Sequence, residues 1–172
     1  LARELLALSR LSGDRSPVRL TSIDVEPLLK ELIGELTILA EDRQIRIALR
    51  TEPVPSVLGD PQWLKQLFIN LLDNAIRYTR EGGVITVSLQ RDGKNVVIGV
   101  EDTGVGIEPE HLSHLFERFY RTDTARARHS GGTGLGLPIV MEIAQAHRGT
   151  IVVQSQVGQG SVFTFRLPSV EG

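Results

Sequence analysis

The chain has 172 residues, no cysteine, four histidines and a formal net charge of −2 at pH 7. This length suits one domain, or one domain with an appendage, and allows a sizeable hydrophobic core. The lack of cysteine excludes disulfides and thiolate metal sites, and the small net charge argues against nucleic acid or an anionic membrane as a partner. No apolar run approaches the roughly 20 residues of a membrane span. We therefore expect a soluble, cytoplasmic domain without direct membrane contact.

The first residues predict the end of a helix that begins upstream. Four leucines at helical spacing share one side of it: Leu1, Leu5, Leu8 and Leu11. A helix this short is marginal unless it packs on another element. Because the chain starts at Leu1 rather than at methionine, we expect it to be cut from a longer polypeptide. The predicted segments are the upstream helix end over 1–14, a linker over 15–19, the main domain over 20–169 and a tail over 170–172.

Helical and strand patterns alternate through the first half of the main domain. An edge strand over 20–25 and a helix over 26–39 precede a strand over 45–50, whose apolar and polar residues alternate as in a strand with one wet face. A second helix then begins at Asp60 and Pro61. Asp60 can cap the free amides, and Pro61 fits the first helical position.

The second half predicts a hairpin, two helical pieces and two closing strands. The hairpin strands cover 85–90 and 95–100, and the second is apolar almost throughout, so we expect it to be central in the sheet. The remaining elements are a short helical piece over 108–119, a helix over 135–147 that stops at Gly149, and strands over 151–154 and 162–167. This order indicates an α+β sandwich, with helices layered on a mixed, mostly antiparallel sheet.

A polar row lies on the second helix beside its apolar stripe. Asn70, Asn74 and Tyr78 are four residues apart, so they share one face. Both asparagines could be ordinary exposed residues, but asparagine is a poor helix former in mid-helix. A carboxamide oxygen is also a suitable ligand for a magnesium ion that takes other oxygens from a phosphate chain. The row therefore predicts a nucleotide pocket elsewhere in the chain.

Two glycine-containing loops could complete that pocket. Asp102 follows the apolar hairpin strand directly and precedes Gly104 and Gly106, which let another group approach the backbone closely. The loop is either a simple turn or a site where the carboxylate accepts a hydrogen bond from an exocyclic amine such as that of adenine. The glycine cluster over 131–136 runs into a helix, whose first amides form an anion site. It matches neither a Walker A loop nor the dinucleotide fingerprint.

Five motifs in order resemble the catalytic, ATP-binding domain of sensor histidine kinases, within the wider family of gyrase, the Hsp90 chaperones and the MutL repair proteins. They are NLLDNAIRYT (N box), EDTGVGI (G1 box), FERFYR (F box), GGTGLGL (G2 box) and GQGSVFTFRLP, the last glycine motif. The resemblance covers about residues 20–168. It implies a two-layer sandwich with three main helices and an ATP lid between the F and G2 boxes. At Pro138, Met141 and Arg148 the chain differs from the residues that are common in this family.

The resemblance also implies roles for individual residues. Asn74 would hold Mg²⁺ with support from Asn70, Arg77 would approach the phosphates, Tyr78 would border adenine, and Asp102 would read its amino group. The further residues expected to line the ATP or ADP site are Gly104, Gly106, Ile107, Arg126, Gly132, Thr133, Gly134, Leu135, Gly136 and Leu137. Arg126 belongs to the expected lid, whose basic residues could equally be only solvated.

Asn70 separates two kinds of chemistry within the wider family. The hydrolases resemble one another in having Glu at this place, where a carboxylate can act as general base on water. An amide cannot accept that proton, so the sequence favours phosphate transfer to a nucleophile from another segment. The resemblance implies that this nucleophile is a histidine on a dimerisation hairpin. None of the four histidines here has the expected surrounding sequence.

The expected function is that of a protein-histidine kinase catalytic domain, active only with its hairpin. The expected partners are that hairpin of the same protein, a downstream response regulator and a second copy in a homodimer. Two alternatives remain open: a nucleotide-sensing module without chemistry, or an ATPase of the same fold. A serine kinase of related fold is disfavoured, since such kinases also resemble the hydrolases in carrying Glu where Asn70 stands.

Overall fold

The computed structural model describes residues 18–118 and 136–170, and seven strands and four helices lie within those ranges. In chain order they are β1 (Thr21–Ile23), α1 (Val25–Asp42), β2 (Arg46–Thr51), β3 (Val57–Gly59), α2 (Pro61–Tyr78), β4 (Val84–Asp92), β5 (Asn95–Asp102), α3 (Pro109–Leu112), α4 (Gly136–Ala146), β6 (Thr150–Gln156) and β7 (Gly160–Pro168). None of these helices combines the length and the apolar character that crossing a membrane requires.

The main sheet has five strands in the order β2-β4-β5-β7-β6. β2 pairs parallel with β4, and the three other pairings are antiparallel. β5 therefore lies in the middle, which confirms the expectation from its apolar sequence. β1 and β3 form a separate antiparallel pair. The predicted α+β class with a mixed, mostly antiparallel sheet is correct.

The core lies between the sheet and α1, α2 and α4. α2 buries the apolar stripe that its sequence predicts, and Phe68 on this helix meets Phe165 of β7 edge to face with ring centroids 6.1 Å apart. The carboxylate of Asp60 accepts a hydrogen bond of 3.1 Å from the Gln62 amide, and Pro61 is the first helical residue. The predicted start of α2 is confirmed, so the polar row on this helix has a firmly placed scaffold.

The structure differs from the sequence predictions in β1 and in the segment over 108–119. β1 is only three residues long and belongs to the small sheet, because it pairs with β3, a strand that the proline-rich approach to α2 did not predict. Within the described part of the segment predicted as 108–119, which ends at Arg118, only Pro109–Leu112 is helical, and the residues that follow form turns and a bend.

α4 ends at Ala146, close to the predicted stop at Gly149. Arg148, and not Gly149, takes the left-handed conformation, with φ of 57°. The amide of Gly149 then donates to the carbonyl of Ala144 at 2.8 Å, which closes the helix. Gly149 is needed for space, because a Cβ there would lie 2.5 Å from the carbonyl oxygen of Arg166.

The predicted upstream helix end, most of the linker, the expected lid and the last two residues of the tail lie outside the described residues.

Candidate functional site

Asp102 is the last residue of the central strand, and its carboxylate is buried, with 5% of the residue exposed. The backbone amide of Gly104 donates to it at 2.9 Å, and the backbone amide of Ser161 on the neighbouring strand also donates to it. Burial raises the pKa of this carboxyl, while the two amide donors act in the opposite direction. The side chain is therefore held from two elements at the end of the sheet.

The glycines after Asp102 are required by backbone packing. A Cβ on Gly104 would lie 2.3 Å from the carbonyl oxygen of Tyr78, and one on Gly106, whose φ is +76°, would lie 2.2 Å from that of Gln156. The amide of Val105 donates to the Tyr78 carbonyl at 3.1 Å. The loop is thus clamped between the end of α2 and the end of β6. The groups that approach these two glycines are parts of this chain.

The same loop ends at Ile107, which is half-buried and packs against the core. Its amide donates to the hydroxyl of Ser155 on β6 at 2.8 Å. Sequence reasoning missed Ser155 and Ser161, because neither lies in the loop that they stabilise.

The C-terminal end of α2 presents Tyr78, which is half-buried beside this loop. Arg43, just after α1, donates from its guanidinium to the carbonyls of Ile76 and Thr79, the latter at 3.3 Å. The hydroxyl of Thr79 adds a hydrogen bond of 2.6 Å to the Ala75 carbonyl. These contacts satisfy carbonyls that a helix end leaves free. Tyr78 therefore sits at a fixed helix terminus.

Asn70 is buried, with 7% exposed, and both ends of its carboxamide have partners. Its oxygen accepts from the Gln66 side chain at 2.8 Å, and its nitrogen donates to the carbonyl of Gly136 at 3.3 Å. Gln66 extends the predicted polar row by one turn and was missed, although its position four residues before Asn70 was visible. Since Gly136 opens α4, the bond joins α2 to the start of the helix that follows the glycine cluster.

Asn74 and Arg77 are half-buried on α2. Among the described residues, no hydrogen-bond partner is found for the Asn74 carboxamide. The Nε of Arg77 pairs with the carboxylate of Asp73, one turn earlier, at 3.1 Å. The Asn74 carboxamide is therefore not engaged by another described residue, while Arg77 carries a local ion pair.

The predicted phosphate loop is only partly described. Gly136 and Leu137 are half-buried at the start of α4. The other predicted residues of this part of the site lie outside the described residues: Arg126, Gly132, Thr133, Gly134 and Leu135.

Comparison with protein families decides the class of the domain. Residues 59–171 match the family profile described as "Histidine kinase-, DNA gyrase B-, and HSP90-like ATPase". The chain belongs to this family. It is a histidine kinase ATPase domain, homologous to the sensor kinases.

Relatives and solved structures agree with this assignment. The sensor-like histidine kinase SenX3 of Mycobacterium tuberculosis is 41% identical over 170 residues, which cover 99% of this chain and 42% of SenX3. Full-length ShkA in complex with AMPPNP superimposes with a TM-score of 0.85 at 32% identity, covering 96% of this chain and 34% of ShkA. The catalytic domain of histidine kinase ThkA gives a TM-score of 0.77 at 29% identity, covering 87% of this chain and 95% of that domain. The chain thus spans less than half of SenX3 and of ShkA.

One histidine of this ATPase domain has a structural role. His147 is buried, its Nδ1 donates to the Ile143 carbonyl at 2.8 Å, and its Nε2 accepts from the Asp60 amide at 3.0 Å. This pattern requires the neutral ring. Burial lowers the pKa of His147, against the opposite effects of the Ile143 carbonyl and of the Asp60 charge. The ring therefore ties the end of α4 to the start of α2.

Proposed function

We propose that this chain is the catalytic domain of a sensor histidine kinase that binds Mg-ATP and donates the γ-phosphate to a histidine on a dimerisation hairpin. The observation that carries the proposal is the buried carboxylate of Asp102. It lies at the end of the central strand, within a loop clamped against the end of α2. A buried carboxylate with two amide donors still has acceptor sites left, and these suit the exocyclic amine of adenine.

The half-buried Asn74 supports a magnesium site of a particular kind. The described residues contain no group of three or more His, Cys, Asp or Glu that could hold a metal ion. The donor set here fits an ion that takes one amide oxygen from the protein and further oxygens from phosphates and water. When bound, Mg²⁺ would neutralise charge on the phosphates. Asn74 would supply the protein ligand, and Arg77, one turn of helix away, would face the same phosphates.

Asn70 supports transfer to a protein acceptor over hydrolysis. Its carboxamide is buried and bonded to Gln66 and Gly136, and it has no basic atom that could take a proton from water. General-base catalysis is typically worth about 10²–10⁴ in rate. A domain of this kind would bind ATP and turn it over slowly until an acceptor histidine is presented.

The remaining features of the proposal concern the whole protein. The acceptor hairpin would belong to the same polypeptide, the protein would act as a homodimer, and a response regulator would take the phosphate onward. The relatives' description as sensor kinases supports these partners.

Radiolabelled ATP tests the proposal in three mixtures. They contain this chain alone, this chain with its hairpin, and this chain with the hairpin whose acceptor histidine is changed to Gln. Acid-labile label is expected only in the second mixture. Strong labelling of the chain alone, or label that persists after the Gln change, would contradict the proposed acceptor. Rapid ATP hydrolysis by the chain alone would instead favour an ATPase.

A further inference from the structure

The hydroxyl of Ser155 is a junction between the loop that follows Asp102 and the start of β7. It accepts from the Ile107 amide at 2.8 Å, donates to the Gly160 carbonyl at 3.0 Å, and lies 2.8 Å from the hydroxyl of Ser161. A hydroxyl has one donor proton and two acceptor sites. Since its proton goes to Gly160, Ser161 must donate to Ser155. All three hydrogen-bonding positions of this half-buried side chain are then occupied.

One of these bonds leads directly to Asp102. The Gly160 carbonyl that accepts from Ser155 and the Ser161 amide that donates to Asp102 belong to the same planar peptide group. Fixing the carbonyl therefore fixes the direction of the amide. The peptide is also tightly packed, because a Cβ on Gly160 would lie 1.9 Å from the carbonyl oxygen of Asp102.

The bond from the Ile107 amide connects Ser155 to the second segment that holds this carboxylate. The Ile107 amide ends the loop that contains Gly104, whose amide donates to Asp102. Ser155 thus joins the two backbone segments that supply both amide donors of Asp102. Hydrogen bonds linked in this way polarise one another and hold their members in a single arrangement.

We propose that Ser155 is a positioning residue for recognition of the nucleotide base. It acts through the Gly160–Ser161 peptide and through Ile107, and it does not itself contact the base. The inference rests on the proposed function, because it takes Asp102 as the acceptor for the amino group of adenine. Without the Ser155 hydroxyl, the Ile107 amide and the Gly160 carbonyl lose their partner, and Asp102 is no longer held in one orientation.

The test compares ADP with IDP, which carries an oxygen in place of the exocyclic amine. Titration calorimetry with Mg²⁺ would measure both nucleotides on the wild type, Ser155→Ala and Ser155→Thr. In Ser155→Ala we expect ADP to bind about tenfold more weakly, which corresponds to about 1.4 kcal/mol, and the preference for ADP over IDP to shrink by a similar factor. Ser155→Thr keeps the hydroxyl and should restore most of that preference.

A matched control separates positioning from general damage. Ser88 is also a half-buried serine in a strand, on β4 and opposite Gly99, and Ser88→Ala should leave the ratio of the two affinities unchanged. If Ser155 had a purely structural role, Ser155→Ala would weaken the binding of ADP and of IDP by the same factor. An unchanged ADP to IDP ratio in folded Ser155→Ala would therefore overturn the inference while leaving the proposed function intact.

Further measurements also test the inference. Wild-type protein that binds ADP and IDP equally, or binds neither, would overturn the role of Asp102 and the inference together. If Ser155→Ala does not fold, Ser155→Cys keeps the volume and weakens the hydrogen bonds, so the same affinity ratio can be measured.

Amide hydrogen exchange at Ile107 gives an independent readout. If exchange at Ile107 in Ser155→Ala is no faster than in the wild type, the inference is also overturned.

Discussion

The two ends of the proposed site are built in different ways. The base end consists of Asp102, Gly104, Gly106 and Ser161. Its carboxylate is buried, and backbone groups of three elements contact the loop closely. At the phosphate end, Asn74 and Arg77 are half-buried side chains on one face of α2. Changes at the base end should therefore affect both folding and binding. Changes at the phosphate end should affect binding alone.

The largest effect is expected from Gly104→Ala. Its Cβ would lie 2.3 Å from the Tyr78 carbonyl oxygen and 2.8 Å from the Asp102 carboxylate. Overpacking of this kind costs roughly 1–3 kcal/mol and occasionally more, so we expect the free energy of unfolding to fall by about 3 kcal/mol. Urea denaturation measures it. Gly34→Ala is the matched control, because nothing lies within 4 Å of its Cβ. That exposed helical position should gain about 0.5–1 kcal/mol. Equal effects at the two glycines would contradict the clamped loop.

Asp102→Asn tests recognition at the base end with little change in shape. The amide nitrogen replaces an acceptor oxygen among groups that donate hydrogen bonds, so we expect ADP affinity to fall by about 1–3 kcal/mol. Calorimetric titration gives this value directly. If ADP affinity stays the same in a folded Asp102→Asn protein, the adenine assignment is wrong.

Asn74→Ala should separate the phosphate end from the base end. Alanine is the better helix former, and the Asn74 side chain has no hydrogen-bond partner among the described residues, so stability should change by less than about 0.5 kcal/mol. Loss of an amide ligand should weaken ADP binding about tenfold in the presence of Mg²⁺ and hardly at all in its absence. ADP titrations with Mg²⁺ and with EDTA measure both. An equal loss in the two conditions would argue against Asn74 as the magnesium ligand.

The smallest effect concerns the His147 contact, which lies at the start of α2, at the other end of that helix from Asn74 and Arg77. The pKa of His147 is lowered in the folded state. At pH values just below 6.5, its ordinary pKa, the ring is therefore protonated in the unfolded chain and stays neutral in the folded chain. The contribution of the neutral ring is complete above pH 6.5 and is lost as the pH falls through the lowered pKa, with a slope of at most about 1.4 kcal/mol per pH unit. In denaturation of wild type and His147→Gln between pH 5 and 8, in about half-unit steps, the stability of the wild type relative to the variant should fall as the pH decreases below 6.5. Parallel curves would contradict the role of the ring.

Much of the fold could be predicted because its signals are local. The cap at Asp60, the proline at the first helical position and the apolar stripe of α2 depend on residues within a few positions of one another, and all three are confirmed. The central place of β5 followed from a run of apolar residues, since a strand buried on both faces has no polar alternation. The site residues came from motifs in which type and spacing carry the chemistry. Their roles in binding remain predictions.

The partners of those residues could not be predicted, because they come from distant parts of the chain. Gly136 meets Asn70 across 66 residues, and Ser155 meets Ile107 across 48. Serines in strands and a glutamine in a helix carry no local sign of such contacts. The sequence by itself determined most of the elements, the central strand and the residues with suitable chemistry. Only the tertiary structure decided which backbone amides hold Asp102 and why Gly104 must lack a side chain, because strand register and the packing of α2 against the sheet end bring those groups together.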